Sequence, residues 1–299
     1  MLDIIKYKKI SFTLSAILVG TSIILLLIFG LNLGIDFTGG SLIQLKFDQR
    51  PSVEQVKDTL EPMNLGSLRV QPTEENSMIL KMEFIEEETH QEIVKRLRSE
   101  FASENNKITE ERVNTIGPAI SSELKENSIY AAVGVILAII GYIAYTFRRV
   151  SKPVASWKYG LTAIFALVHD VLITMGVFAV LGYWLKVEIN IPFAVAMLTV
   201  LGYSVNDTIV VFDRIREKLS KLGVAKFKKS IIEGVNDTLV RSMNTSFTTL
   251  GVLFALFIFG GNSIHFFSLA LIIGIGLGTY SSIFLASPLL YTWKKLKSY

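Results

Sequence analysis

The feature that most constrains this chain is a set of six apolar runs, each close to the ~20 residues that an α-helix needs to cross a hydrocarbon core. Hydrophobic residues make up 51% of the sequence, and the mean hydropathy is positive, at +0.47. These values predict a multi-span α-helical membrane protein with six transmembrane helices. The predicted spans are residues 12–31, 129–147, 159–182, 191–212, 239–259 and 266–291.

Lysine and arginine residues are distributed unevenly between the connections. If six spans alternate in direction, the basic clusters before the first span and after the second, fourth and sixth spans all lie on one side. Cytoplasmic loops carry an excess of these residues, so both termini are predicted to be cytoplasmic. The net charge of +4 reflects this topology. Basic and aromatic residues do not alternate as they would on a nucleic-acid surface, so nucleic acid is not expected as a partner.

A long polar segment, residues 33–127, separates the first two spans and is predicted to fold outside the cytoplasm. Its hydrophobic periodicity gives the order β-α-β-β-α-β. That order is typical of an α+β ferredoxin-like domain, in which two helices cover one face of a four-stranded antiparallel sheet. The predicted strands are 41–47, 67–71, 78–84 and 111–116, and the predicted helices are 52–60 and 88–101. The predicted organisation is therefore 1–32 (N-terminus and first span), 33–127 (extracytoplasmic domain) and 128–299 (spans two to six).

The sequence lacks the motifs of common catalytic and metal sites. It contains no HExxH pair, no P-loop and no GxSxG elbow. It also has no cysteine, which excludes disulfides, thiol nucleophiles and thiolate metal sites. We therefore expect neither an enzyme nor a bound cofactor or metal.

Two charged residues of opposite sign lie within consecutive predicted spans. Asp207 falls inside the fourth run and Arg241 near the start of the fifth. An ionisable group in hydrocarbon costs at least ~2.5 kcal/mol on insertion scales, so such groups indicate function. Counted along antiparallel helices, the two residues share a depth. Facing each other they would form a buried ion pair; if they are apart, burial favours protonation of the carboxylate.

Further polar side chains accompany this pair. His169 and Asp170 fall near the middle of the third span, as a candidate proton relay or as hydrogen-bonded contacts between helices. Because adjacent residues point about 100° apart on a helix, these two need not bond each other. The remaining candidates for relay or helix contact are Asn206, Asn244, Thr245 and Thr248.

A glycine-rich segment, GIDFTGG at 34–40, follows the first span. Glycines permit positive φ and close backbone packing, and an aspartate can cap a turn. The segment is therefore either a hinge or a tight connector. The hinge candidates are Gly34, Asp36, Gly39 and Gly40.

Four motifs together resemble those of the SecF family, a membrane component of the bacterial protein-export machinery. They are GIDFTGG at 34–40, VHD at 168–170, GYSVNDTIVVFDRIRE at 202–217 and NTSFTT at 244–249. The resemblance covers essentially the whole chain. It implies one half of a unit similar to the membrane part of resistance-nodulation-division (RND) transporters.

The resemblance also implies a role and partners. It implies a subunit of the bacterial plasma membrane that pairs with SecD, supplied by another polypeptide, and associates with the SecYEG channel and YajC. Such a unit uses a gradient of H⁺, or of Na⁺ in some organisms, to draw out an unfolded translocating polypeptide. The resemblance assigns ion coupling to Asp207 and Arg241.

Three alternatives remain open from the residues. The first is an RND-like half-transporter for lipids or small molecules. The second is a scaffold that conducts no ion. The third is an intramembrane aspartyl protease built on Asp170 and Asp207, which the absence of a GxGD motif before Asp207 disfavours.

Overall fold

The structure is a computed structural model that describes residues 1–73, 76–103, 106–146 and 155–295. It divides into two compact units, a larger one of Met1–Asn32 and Ile129–Tyr299 and a smaller one of Leu33–Ser128. In chain order the helices are α1 (Lys8–Phe29), α2 (Ile35–Thr38), α3 (Val53–Leu60), α4 (Glu87–Phe101), α5 (Pro118–Thr146), α6 (Ser156–Trp184), α7 (Ile191–Leu222), α8 (Phe227–Phe259), α9 (Asn262–Ser281) and α10 (Ser287–Lys295). The strands are β1 (Gly40–Phe47), β2 (Arg69–Pro72), β3 (Ser77–Met82) and β4 (Ile108–Ile116).

The prediction of six transmembrane helices is confirmed within the described residues. Six helical stretches there are long and apolar enough to cross a membrane. They coincide with α1, α5, α6, α7, α8 and the continuous stretch from α9 into α10. The chain is a multi-pass membrane protein. The basic residues 148–152, which contributed to the predicted orientation, lie outside the described residues.

The helices α7 and α8 extend well beyond the apolar runs that predicted them. Residues 213–217 lie beyond the predicted fourth span, which ends at residue 212, but they belong to α7, which ends only at Leu222. Charged side chains link this extension to the start of α8. Asp237 accepts from Arg214 Nη2 at 2.8 Å and lies 2.8 Å from Lys218 Nζ. Because these groups are one-fifth to two-fifths exposed, each pair contributes little alone, but together they favour helix over loop.

The sequence predicted one continuous helix for the sixth apolar run, but the structure interrupts it. A π-helical turn, Ser282–Ala286, separates α9 from α10. At its end, the hydroxyl of Ser287, the first residue of α10, donates to the Ser282 carbonyl at 3.0 Å, five residues back. Single π turns inside helices occur frequently at functional sites.

The first residues of the chain pack into the larger unit. The Leu2 N–H donates to Asn236 Oδ1 at 2.8 Å, and Asn236 Nδ2 donates to the Leu2 carbonyl at 2.9 Å. Ile4 is 1% exposed and belongs to the same apolar cluster as Phe227 of α8. This N-terminal hook, residues 1–6, therefore joins α8 before α1 begins.

The smaller unit contains the predicted β-α-β-β-α-β element order. Its four-stranded sheet has the order β2-β3-β1-β4, and every neighbouring pair is antiparallel. Residues of the central strands β1 and β3 alternate between buried and partly exposed, as a sheet with one covered face requires. The covered face packs with α3 and α4 through one apolar cluster, which includes Ile43, Leu45, Leu80, Val56 and Ile93. Ser52 begins α3 with a capping box to Gln55.

Lys81 makes the stability of the smaller unit depend on pH. Burial, and secondarily the charge of Arg69 on the neighbouring strand, lowers the pKa of Lys81 from 10.5 to about 8. Between these values the unfolded chain binds more protons than the folded chain, so the free energy of unfolding rises with pH. We expect Lys81→Met to remove this rise.

The measurement can use the absence of native cysteines. A single cysteine introduced by Val56→Cys, at a fully buried position, reports opening of the unit through its thiol-labelling rate in the full chain. Comparing this protein with and without Lys81→Met at each pH cancels the chemistry of the thiol itself. If the free energy of unfolding rose equally with pH in both proteins, the assignment to Lys81 would be contradicted.

Candidate ion-coupling site

Asp207 lies on α7 in a half-buried position between α8 and the π-helical turn. Its Oδ1 accepts a hydrogen bond from the Ser242 hydroxyl of α8 at 2.6 Å. Its Oδ2 accepts from the Ser282 hydroxyl, the first residue of the π-helical turn. Two serine hydroxyls from different helical segments therefore hold the carboxylate.

Of the two arrangements that the sequence left open for Asp207 and Arg241, the structure shows the one without a direct pair. In the described parts of the chain, no ion pair within 4.0 Å joins the two side chains. The reason is rotational: Arg241 precedes Ser242 on the same helix, and adjacent residues point about 100° apart. When Ser242 faces Asp207, Arg241 is turned to the exposed side of α8. The two residues share a depth but not a direction.

Arg241 belongs to an exposed polar face of α8. Asn244, Thr245 and Thr248 follow at spacings of three, four and seven residues, which places all four on one side of the helix. The hydroxyls of Thr245 and Thr248 donate to carbonyls of their own helix, at 3.0 Å to Arg241 and 3.0 Å to Asn244. All four side chains of this face are exposed and are not buried between helices of this chain. Asn206 on α7 is exposed as well.

Asp170 forms a second carboxylate site, and it is fully buried. Its Oδ2 accepts from the hydroxyls of Ser204 on α7 at 2.6 Å and Ser281 on α9 at 2.7 Å. Its Oδ1 lies 2.8 Å from His169 Nδ1. The two adjacent residues therefore bond each other, although helix geometry alone does not require it.

The serines of this site were missed by sequence reasoning. Ser204, Ser242, Ser281 and Ser282 each donate to a carboxylate, and Ser281 and Ser282 are consecutive. A polar pair inside an apolar run is a visible signal, but serine is common in transmembrane helices as a contact between helices. Only the packing shows that one serine pair reaches both carboxylates.

The glycine-rich segment is built into the smaller unit. Gly39 and Gly40 have φ of 72° and 123°, in the region that favours glycine, whereas Gly34 is extended. A side chain at Gly40 would place its Cβ 2.7 Å from the Met82 carbonyl oxygen. Asp36 lies in the first turn of the short helix α2. The glycines therefore serve close packing here, and a hinge role for the segment stays a prediction.

Two family models match the chain. The model described as "Protein export membrane protein SecD/SecF, C-terminal" matches residues 96–296, and the one described as "SecD/SecF GG Motif" matches residues 24–49. The second match includes Gly39 and Gly40. Together they cover most of the larger unit and both ends of the smaller one.

Individual relatives agree with these matches. The chain is 41% identical to the protein translocase subunit SecF of Thermobaculum terrenum over 98% of its own length and 94% of the relative. It is 36% identical to the Haemophilus influenzae subunit of the same name, over 97% and 85%. The crystal structure of SecDF, a translocon-associated membrane protein from Thermus thermophilus, superposes with a TM-score of 0.83 at 31% identity, covering 98% of this chain but 39% of that one. The chain belongs to the SecF family of protein translocase subunits.

Proposed function

We propose that this chain couples an ion gradient to late-stage polypeptide translocation across a bacterial plasma membrane. In this role it pairs with SecD, associates with SecYEG and YajC, and has both termini in the cytoplasm. The ion is H⁺, with Na⁺ as the alternative. The observation that carries the proposal is Asp207, a carboxylate on a helix long enough to cross a membrane, held by hydroxyl groups.

Hydroxyl partners suit a carboxylate that must gain and lose a proton. A serine hydroxyl donates to an ionised carboxylate and can also accept from a protonated one. Ser242 and Ser282 can therefore keep hydrogen bonds to Asp207 in both states. A fixed cation at this position would instead favour the ionised state. The arrangement supports reversible protonation of Asp207.

The exposed polar face of α8 supports pairing with another membrane subunit. A charge such as that of Arg241 is costly against lipid, so a protein surface is expected to cover it. On α7 the exposed positions Thr199, Gly202 and Asn206 are small or polar, which permits close approach of another helix. SecD is the partner that we propose for this surface, with hydrogen-bonding or acidic groups opposite Arg241.

The available energy matches a conformational role. Each elementary charge that crosses the membrane releases ~2.3 kcal/mol per 100 mV. That amount is enough to redistribute conformations that differ by a few kcal/mol. We propose that protonation of Asp207 rearranges α7, α8 and the π-helical turn, and that the segment 34–40 passes the change to the smaller unit, which holds the polypeptide.

Asp207→Asn tests the proposal in vesicles that carry the partner subunits. Asparagine keeps the size of the side chain but cannot bind and release a proton, so we expect gradient-dependent stimulation of export to fall to the level measured with an uncoupler. Imposing proton and sodium gradients separately identifies the ion.

Asp213→Asn is the matched control. Asp213 lies on the same helix, has an exposed side chain and pairs with Arg216 at 2.6 Å, so this variant should retain stimulation. Full stimulation in Asp207→Asn would refute ion coupling at this residue and favour a scaffold that conducts no ion.

A further inference from the structure

The pair of His169 and Asp170 has one ring nitrogen left without a partner. Both side chains are buried, with 4% and 0% exposure. His169 Nδ1 lies 2.8 Å from Asp170 Oδ1, whereas Nε2 is buried and lacks a hydrogen-bond partner among the described residues. Buried polar atoms are nearly always paired, so an orphaned one requires an explanation.

The hydrogen bonds around Asp170 determine which chemistry remains open to His169. Ser204 and Ser281 both donate to Oδ2, so the carboxylate is supplied with donors on that side. When Nδ1 carries the hydrogen shared with Oδ1, Nε2 presents a free lone pair. A proton that binds this lone pair forms one N–H bond and breaks none within the dyad. It converts a buried dyad with one negative charge into a neutral pair, the charge state that a low-dielectric site favours.

Among the described residues, no lysine or arginine lies within 4.0 Å of the dyad as an ion-pair partner. The His169 ring stacks on Tyr280 of α9, with centroids 6.1 Å apart. From α1, the Ser11 carbonyl and the Ser15 hydroxyl lie 3.3 and 3.5 Å from the Tyr280 hydroxyl. Described contacts link two ionisable side chains to the dyad and its serines: Tyr280 on α9, stacked on the His169 ring, and Asp207 on α7, bonded to Ser282. The charged side chains of the packed helices include Lys8 and Lys9 in the first turn of α1, Lys158 in the first turn of α6 and residues 213–221 in the last third of α7, and Lys8 Nζ lies 5.0 Å from the Tyr291 ring centroid of α10. Further titratable side chains are Tyr203 on α7 and His265 on α9.

Consecutive serines connect the dyad to Asp207. Ser281 ends α9 and donates to Asp170, and Ser282 begins the π-helical turn and donates to Asp207. α9 approaches closely because Gly278 has no side chain: a Cβ there would lie 3.2 Å from Ser204 Cβ and 3.6 Å from Asp170 Oδ2. A change in the hydrogen bond between Asp170 and Ser281 therefore acts directly beside Ser282, which holds the carboxylate of Asp207.

We propose that the dyad of His169 and Asp170 is a second proton-binding site, loaded at Nε2 and coupled to Asp207 through Ser281 and Ser282. The proton-binding step stands on the local geometry. The coupling deepens the function proposed above and rests on it. His169 would then receive or store a proton beside the residue that responds to the gradient.

Nuclear magnetic resonance of ¹⁵N-histidine in the full chain with its partner subunits in lipid nanodiscs tests the site directly. The chain has three histidines, so His90→Gln and His265→Gln assign the signals without altering the dyad. We expect the His169 Nε2 resonance to titrate between pH 5 and 9. A His169 signal that keeps one protonation state across this range would overturn the proposal.

The coupling has its own readout. In Asp207→Asn the acceptor of the Ser282 hydroxyl changes from a carboxylate to an amide, so we expect the pH dependence of the His169 Nε2 signal to shift from that of the unaltered chain. Adding Ser282→Ala should reduce the shift, because Ser282 carries the proposed connection between the two sites. Adding Ser246→Ala, whose hydroxyl bonds to Thr279 and not to a carboxylate, should preserve it. An unchanged midpoint in Asp207→Asn would overturn the coupling.

The two proposals fail separately. Loss of export stimulation in Asp207→Asn together with a His169 that does not titrate would leave the proposed function standing and remove the second site. A His169 that titrates, together with full export stimulation in Asp207→Asn, would support proton binding at the dyad and refute the proposed function of Asp207.

Discussion

Gly234→Ala should prevent α7 and α8 from reaching their packed arrangement. A Cβ at Gly234 would lie 2.8 Å from Ile215 Cα and 2.9 Å from Ile215 N, which are backbone atoms of the neighbouring helix. Relief therefore requires the helices to separate. Overpacking of this kind typically costs ~1–3 kcal/mol and occasionally more. We expect a lower unfolding temperature of the solubilised subunit and reduced accumulation in the membrane.

Gly251→Ala is the matched control, because it makes the same change in the same helix. A Cβ there would meet no atom within 4 Å. Alanine reduces the conformational entropy of the unfolded chain and is expected to stabilise by ~0.4–1 kcal/mol. The two variants should therefore shift the unfolding temperature in opposite directions, and shifts of the same sign and size would contradict the packing described for Gly234.

Leu45→Ala should destabilise the smaller unit by ~2–5 kcal/mol, as is typical for a fully buried leucine. Leu45 is 0% exposed and lies on the covered face of β1. A loss of this size lowers the hydrogen-exchange protection of the sheet amides by about thirtyfold to several thousandfold, since 1.4 kcal/mol corresponds to a factor of ten.

The control for this variant is Leu42→Ala on the same strand. Leu42 lies on the other face of the sheet and is only half-buried, so its truncation should change protection much less. Equal losses of protection in the two variants would indicate that the open face is covered in the assembled protein.

Much of the fold follows from patterns that the sequence displays. The apolar runs predicted the six helices because crossing a membrane fixes both length and composition. The order of elements in the smaller unit followed from its alternating hydrophobic periodicities. The helix ends were harder to predict: α7 and α8 continue past their apolar runs because Arg214 and Lys218 meet Asp237 across the two helices, and such pairs cannot be read from either run alone.

The details of the site depended on rotation rather than depth. The sequence identified Asp207 and Arg241 and placed them at the same depth in the membrane. Whether Arg241 or Ser242 faces the carboxylate depends on the rotation of α8 about its axis, which the sequence alone does not determine. The link between Asp170 and Asp207 required the π-helical turn at Ser282, whose wider geometry departs from the 3.6-residue period used to assign faces.

The N-terminal hook has a consequence for biosynthesis. Leu2 bonds to Asn236, which the ribosome adds 234 residues later. At ~5–20 residues per second, the first span waits roughly ten to fifty seconds in the membrane before its anchor exists. During that interval Ile4 and Ile5 lack their final surroundings, so a nascent chain arrested before α8 should expose its amino end to protease, whereas the completed chain protects it.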